Sequence, residues 1–215
     1  KFKAMVHNCN HTCKHQHSIV DKEDSLGEKE SLYFIIDKTK MECYNEHSKD
    51  AGKSIIQPFE KRFDASNSCE AAIDEELLFV IPLVQTSKVK TITLLVGEGG
   101  HCPAEMRVFK NKPSLDFDSA ENTKPDQVIQ TVYVHGPIEY QLKPSVFLGV
   151  TSLTIYFPSS LGGLPTRLHY LGLRGTTSRQ KRQIVKCVYE SAPQAKDHLD
   201  KIHDEDELKK LTDNT

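Results

Sequence analysis

Residues 104–118 read Ala-Glu-Met-Arg-Val-Phe-Lys-Asn-Lys-Pro-Ser-Leu-Asp-Phe-Asp, and their pattern indicates a strand followed by a loop. Met106 and Val108 fall on one face at the two-residue period of a β-strand, so we predict that the stretch begins as a strand. The Lys-Asn-Lys-Pro run then ends it, because Pro cannot donate to a ladder and Asn favours turns. Leu115 and Phe117 follow with one polar residue between them, which is the pattern of a loop that packs its apolar side chains against a core.

Short apolar runs separated by turn residues recur along the rest of the chain. We count roughly eight to ten predicted strands and no convincing long helix, which predicts an all-β sandwich or barrel. One run, residues 88–96, changes phase part-way, which indicates a bulge or a strand buried on both faces. The predicted strands comprise residues 32–36, 77–81, 88–96, 104–109, 128–134, 138–142, 153–157, 167–173 and 184–189.

Composition limits the classes of partner. The chain is 27% charged with a formal net charge of -2, so it lacks the basic excess typical of nucleic-acid-binding proteins. No apolar run approaches the roughly 20 residues that cross a bilayer. Six cysteines are too few for a disulfide scaffold of this length, and no hydrophobic export segment is visible at the start. We therefore expect free thiols, a monomer, and a cytoplasmic location with the nucleus as a second compartment.

A cluster of His and Cys lies in the first 31 residues, which we interpret as a flexible segment. Its two cysteines have the C-x3-C spacing found in zinc sites, and both residue types are zinc ligands. Two interpretations stay open: a flexible tail that binds metal weakly or not at all, and a zinc site. The candidate ligands are His7, Cys9, His11, Cys13, His15 and His17.

Three other motifs resemble phosphate-binding or catalytic sites but lack features that such sites need. Residues 52–54 resemble the end of a phosphate-binding loop but lack its first glycine. The acids of residues 74–76 precede a predicted strand, where a solvated strand entrance or a partner contact explains them better than acid–base catalysis. His101 and Cys102 are sequence neighbours, which usually point in different directions. We therefore expect no enzymatic activity.

Residues 193–215 differ in character from the preceding domain. Leu208 and Leu211 form an apolar pair that would lie opposite an earlier pair on a helix, so no single amphipathic stripe exists. Residues 204–207 are four consecutive acids. We interpret the segment as a mobile acidic tail that orders on a partner.

Four motifs in order resemble the PITH domain family over residues 32–192. They are residues 74–79, 106–113, 116–121 and 170–175. The resemblance implies a jelly-roll β-sandwich of the galactose-binding-like kind. It also implies an interaction with the proteasome, because the two-domain members of the family join a thioredoxin to the proteasome regulatory particle through this module.

The sequence departs from those two-domain members. The segment before residue 32 is far shorter than the roughly 100 residues of a thioredoxin domain, and no C-x-x-C motif is present. We therefore predict a non-catalytic protein-interaction module that binds the proteasome regulatory particle and needs no cofactor. The predicted contact residues are Lys110, Asn111, Pro113, Phe117, Arg174, Leu208 and Leu211.

Three other interpretations of the sequence remain open. Leu115 and Phe117 could simply close the edge of the sandwich instead of binding a partner. By fold analogy the chain could be a small-ligand or carbohydrate-binding β-sandwich, although it has no tryptophan on which a sugar ring could stack. It could also be a zinc-binding regulatory protein that uses the N-terminal cluster.

Overall fold

The computed structural model describes residues 29–177. This part of the chain contains eight strands, two short α-helices and two short 3₁₀ helices. In chain order the elements are a 3₁₀ helix at Tyr33–Ile35, β1 Glu42–Tyr44, α1 Ala51–Ser54, a 3₁₀ helix at Phe59–Lys61, β2 Cys69–Glu70, β3 Leu77–Val96, β4 Glu105–Lys110, α2 Phe117–Asn122, β5 Gln127–Gln130, β6 Ile138–Gln141, β7 Val150–Phe157 and β8 Arg167–Thr177. No helix among the described residues is long and apolar enough to cross a membrane.

The twenty-residue strand β3 belongs to two sheets. Its first half lies between β1 and β7, and the order β1-β3-β7-β4-β5 forms the first sheet. Its second half lies between β8 and β6, and the order β2-β8-β3-β6 forms the second sheet. The pairing of β3 with β7 becomes irregular between Pro82 and Ser87, where the strand passes from one sheet to the other. All pairings are antiparallel, as in a β-sandwich.

The main core lies between the two sheets. Leu77, Phe79 and Ile81 of β3 are fully buried there, and the ring of Phe79 meets that of Phe157 edge to face at 6.1 Å. Burial of one such side chain stabilises the fold by about 1.5–3 kcal/mol. Met106 of β4 joins the same core, which confirms the strand predicted at the start of residues 104–118.

A second, smaller core lies on another face of the first sheet. Leu78, Phe109 and Tyr156 are buried there beneath α2, together with Ala120 of that helix. Leu115 and Phe117 pack against this cluster, as the sequence predicted for the loop. The chain after β4 therefore folds back over its own sheet.

Two predictions about strands are wrong. Within residues 32–36, Tyr33–Ile35 form a 3₁₀ helix instead of a strand. The flanking residues pair with other strands: Leu32 N donates to Leu173 O at 2.9 Å, and Ile36 forms an isolated bridge with Leu83. Pro82 does not end the strand that begins at Leu77, since β3 continues to Val96. The bulge predicted within residues 88–96 is confirmed as a register shift between Val89 and Thr91.

The strand predicted at residues 128–134 is present as Gln127–Gln130 and ends where the chain enters an exposed loop. The strand predicted at residues 184–189 lies outside the described residues, as does the tail.

Candidate interaction surface

Four loops lie side by side at one end of the sandwich, and we call this surface the four-loop rim. The loops precede β3, follow β3, precede β6, and join β7 to β8. They comprise residues 72–76, 97–104, 131–137 and 158–166.

Backbone hydrogen bonds hold three of these loops together. Ala104 N donates to Ser159 O at 2.8 Å, and Leu161 N donates to Cys102 O at the same distance. Thr131 N donates to Ala104 O at 3.1 Å, which attaches the loop before β6. Bonds of this kind fix the backbone of loops that would otherwise be free to move, so the rim presents its side chains from a defined surface.

The acidic run at residues 74–76 attaches the fourth loop. The carboxylate of Glu75 accepts hydrogen bonds from Ser160 N at 2.6 Å and from Ser160 Oγ at 3.1 Å. Asp74 accepts a hydrogen bond from Asn45 Nδ2 at 2.6 Å. The third acid, Glu76, is partly buried, and this burial raises the pKa of its carboxyl. The sequence suggested a solvated strand entrance or a partner contact for these acids. Asp74 is exposed, as a solvated entrance requires, and Asp74 and Glu75 also accept hydrogen bonds within the chain.

Close contact between two of the loops depends on glycine. A Cβ atom on Gly162 would lie 2.3 Å from the Cα of Gly100, and one on Gly100 would lie 2.9 Å from the Cα of Gly162. These distances are too short for any other residue, so the two glycines let the loop after β3 pack directly on the β7–β8 loop.

The rim exposes many large apolar side chains. Twelve such side chains are exposed in the described part of the chain, and six of them lie in the rim. Their exposed fractions are Ile73 90%, Val132 52%, Tyr133 38%, Val134 51%, Leu161 57% and Leu164 43%. Clusters of exposed apolar side chains with polar neighbours are typical of protein interaction sites.

Two clefts open on the rim. One, of about 400 Å³, lies between residues 73–76 and residues 158–165 and has Ile73 beside the three acids. The other, of about 300 Å³, is lined by Tyr133, His135 and Arg167 among others. The guanidinium of Arg167 is 3.0 Å from the Glu70 carboxylate, an ion pair that joins β2 to β8 at the edge of this cleft.

Residues 110–113 comprise the last residue of β4 and the turn after it, and we call this segment the β4 turn. Its predicted contact residues lie at the other end of the first sheet from the rim. Lys110 pairs with Leu153, at the end of β4 away from the rim. Asn111 follows with a left-handed φ of 54°, and its side-chain oxygen accepts hydrogen bonds from Thr151 N at 2.8 Å and Ser152 N at 3.2 Å. Pro113 is exposed. The asparagine therefore holds the turn against the sheet, whether or not a partner also binds there.

Phe117 and Arg174 have internal roles. Phe117 is partly buried and meets the Tyr156 ring at 6.1 Å, which supports the alternative that it closes the edge of the sandwich. The guanidinium of Arg174 is 2.5 Å from Glu139 and 3.8 Å from Glu30, and its side chain is only 15% exposed. The structure does not bring Arg174 to the rim or to the β4 turn.

Several predicted residues lie outside the described residues. They are the metal candidates His7, Cys9, His11, Cys13, His15 and His17, and the tail residues Leu208 and Leu211. His101 and Cys102, considered as a thiol–imidazole pair, have separate partners: His101 Nδ1 is 2.8 Å from Pro165 O, and Cys102 Sγ is 3.4 Å from Pro103 O.

Comparison with solved structures identifies the class of fold. The CBM32-1 and CBM32-2 domains of Clostridium perfringens ZmpB match with a TM-score of 0.51 at 12% identity, covering 72% of this chain and 38% of that chain. A second structure, of the CBM32-1, CBM32-2 and M60 catalytic domains of ZmpB, matches with a TM-score of 0.53 at 9% identity, covering 72% and 16%. The expected all-β, jelly-roll, galactose-binding-like sandwich is confirmed.

Sequence comparison identifies the family. The sequence model of the PITH domain matches residues 22–193. A PITH domain-containing protein of Drosophila melanogaster is 41% identical over 194 residues, which span 89% of this chain and 92% of the relative. PITH domain-containing protein 1 of Homo sapiens is 36% identical over 169 residues, spanning 78% and 80%. The chain belongs to the PITH domain family.

Proposed function

We propose that this protein is a non-catalytic interaction module that binds the proteasome regulatory particle through the four-loop rim. The chain belongs to the PITH family, and the family resemblance implies an interaction with the proteasome. This supports the choice of partner. The observation that carries the choice of surface is the group of six exposed apolar side chains on loops that hydrogen bonds hold together.

The geometry favours the rim over the β4 turn as the main contact. Ile73 exposes 90% of its area beside a cleft, and Leu161 exposes 57% of its area on the loop that joins β7 to β8. Exposed apolar side chains of this kind gain the most when a partner removes them from water. At the β4 turn, Asn111 uses its side chain within the chain, and Phe117 is partly buried. The turn would then contribute at most peripheral polar contacts through Lys110 and Pro113.

The module would act by shape and surface chemistry, without a cofactor and without a nucleic-acid or membrane partner. It would be a monomer in the cytoplasm, with the nucleus as a second compartment. The acidic tail that contains Leu208 and Leu211 would add a second contact and raise the effective concentration of the rim at its partner.

Affinity purification from cytosol at moderate salt tests the proposal. Tagged protein should enrich proteasome regulatory-particle subunits, and the double variant Ile73→Glu, Leu161→Glu should lose that enrichment, because it puts charge into the apolar part of the contact. Val84→Glu is the matched control, since Val84 is 69% exposed but lies in the bend of β3 outside the rim. Failure of the unaltered protein to enrich any regulatory-particle subunit would refute the proposal.

The carbohydrate-binding alternative is tested separately. A glycan array with the purified full chain should give no binding above background. A reproducible glycan signal that Tyr133→Ala abolishes would favour a sugar site in the smaller cleft, because sugar rings stack on aromatic side chains.

A further inference from the structure

Two thiols and a carboxylate converge away from the four-loop rim, beside α1. The Sγ atoms of Cys43 and Cys69 are 3.8 Å apart, and a carboxylate oxygen of Glu46 lies within 4.8 Å of both. Cys69 is completely buried, whereas Cys43 and Glu46 are partly exposed. We call this group the Cys43 cluster.

The cluster lies where the edges of the two sheets meet. Cys43 is in β1 of the first sheet, and Cys69 is in β2 of the second. Glu46 follows β1 and forms an isolated bridge with Ala71, just after β2. A ligand held by all three side chains would therefore join the two sheets.

The carboxylate of Glu46 is already oriented. One oxygen accepts a hydrogen bond from Asp50 N at 2.7 Å, and the other accepts one from Gly52 N at 2.8 Å. Each carboxylate oxygen has a further lone pair, so these bonds fix the direction of the group and leave it able to coordinate a cation.

Close packing holds Cys43 in place. A Cβ atom on Gly52 would lie 2.4 Å from the Cβ of Cys43 and 2.9 Å from its Sγ, so α1 covers the thiol only because residue 52 is glycine. The ring of Phe79 lies on the same side, 3.1 Å from that position. The sulfur has little freedom to turn away from Cys69.

The separation of the two sulfurs matches the geometry of a zinc site. Zinc–sulfur bonds are about 2.3 Å long, so two sulfurs in a tetrahedral zinc site are about 3.8 Å apart. Cysteine and glutamate are both zinc ligands, and three protein ligands leave the fourth position for water. The partly exposed side of the cluster, at Cys43 and Glu46, offers an entry path.

We propose that Cys43, Cys69 and Glu46 form a zinc site that links β1 to β2. This site is separate from the N-terminal His and Cys residues that the sequence suggested as zinc ligands, and it does not depend on the proposed proteasome interaction.

Cobalt titration of the full chain tests the site. In a background with Cys9→Ser, Cys13→Ser and Cys187→Ser, only the thiols of the described residues remain. Reduced protein should bind one equivalent of Co²⁺ with a sulfur-to-metal charge-transfer band, and zinc should displace it. Cys43→Ser and Cys69→Ser should each abolish the band. Glu46→Gln should weaken binding by at least about tenfold, since even outer-shell partners are worth 10–100-fold.

Cys102→Ser is the matched control. It removes the third thiol of the described residues, which is buried elsewhere, and should leave the cobalt band unchanged.

A second measurement needs no variant of the cluster, in case the serine variants fail to fold. In the unaltered chain, zinc should slow the alkylation of Cys43, the partly exposed thiol of the cluster, as peptide mass spectrometry would show. The proposal is overturned if the reduced protein shows no thiolate–cobalt band, if zinc leaves the alkylation of Cys43 unchanged, or if Cys43 and Cys69 are isolated as a disulfide without metal.

Discussion

At the scale of single residues, the motif at residues 170–175 is explained by the space around its two glycines. A Cβ on Gly175 would lie 2.0 Å from the backbone oxygen of Lys88 on the neighbouring strand. A Cβ on Gly172 would lie 2.5 Å from the hydroxyl of Tyr170, which is a side-chain atom. Both glycines are in β8, where they let buried neighbours approach closely.

The first prediction follows from this difference. Gly175→Ala should lower the free energy of unfolding at or beyond the upper end of the roughly 1–3 kcal/mol typical of overpacking, because the Lys88 backbone cannot move aside. Gly172→Ala should cost less, since the Tyr170 side chain can shift. Urea denaturation measures both, and equal losses would contradict the explanation.

The second prediction concerns Asn111, which the sequence proposed as a contact residue. Asn111→Ala should lower the free energy of unfolding by about 1–3 kcal/mol, because it removes the bonds to Thr151 and Ser152 and places alanine at a left-handed φ. Asn111→Gly removes the same bonds but tolerates the backbone angle, so it should be the less destabilised variant. Chemical denaturation gives the order, and an alanine variant as stable as the parent would contradict it.

The third prediction concerns pH. The guanidinium of Arg167, hydrogen-bonded to Glu70, holds the pKa of that carboxyl below its ordinary value. The folded state therefore favours the charged form, and this contribution is fully present above the unfolded pKa and is lost as the pH falls through the folded one. Thermal unfolding from neutral to acidic pH should show stability declining below about pH 4.5. Glu70→Gln should reduce that decline, and an unchanged profile would contradict the role of the pair.

At the scale of elements, α2 illustrates how a short helix can cover a sheet. Asp116 caps it by accepting a hydrogen bond from Ser119 N at 2.9 Å, and Phe117 in its first turn contacts Tyr156. The cap is a recognised start signal. The helix has only six residues, however, which is too short for a periodic pattern, and so the sequence analysis did not predict it.

The fourth prediction tests this element. Phe117→Ala should lower the free energy of unfolding by about 2–4 kcal/mol, because the ring packs against the second core between Tyr44 and Tyr156. Phe34→Ala is the matched control and should change stability by less than about 0.5 kcal/mol, since Phe34 is 85% exposed. Equal effects of the two substitutions in urea denaturation would show that α2 does not hold the second core.

The sequence predicts most strands because period-two alternation is a local property. Met106 and Val108 in β4 and the phase change in β3 were both found in this way. The 3₁₀ helix Tyr33–Ile35 was missed because a continuous apolar run fits a strand and a helical turn equally well. The extent of β3 was missed because Pro82 is a strand-breaking signal that the structure accommodates at its irregular bend.

At the scale of the whole molecule, neither candidate site is visible in the sequence. The rim combines four loops, and the contact of Glu75 with Ser160 joins residues 85 positions apart. The Cys43 cluster brings together thiols 26 positions apart, with no C-x-x-C spacing to reveal them. Such sites depend on long-range strand pairing, which local patterns do not specify. Sequence reasoning placed its contacts at the β4 turn, at Arg174 and in the tail. The β4 turn and Arg174 form bonds within the chain, and the tail lies outside the described residues.

The proposed binding of the four-loop rim to the proteasome regulatory particle is tested by the dissociation constant for purified particle. The unaltered chain should bind saturably, and Ile73→Glu with Leu161→Glu should weaken binding about 10–100-fold or more, as expected for loss of a hydrophobic contact centre. Val84→Glu should leave the dissociation constant unchanged. Absence of binding by the unaltered chain, or equal affinity of the rim variant, would show that the rim does not bind the particle.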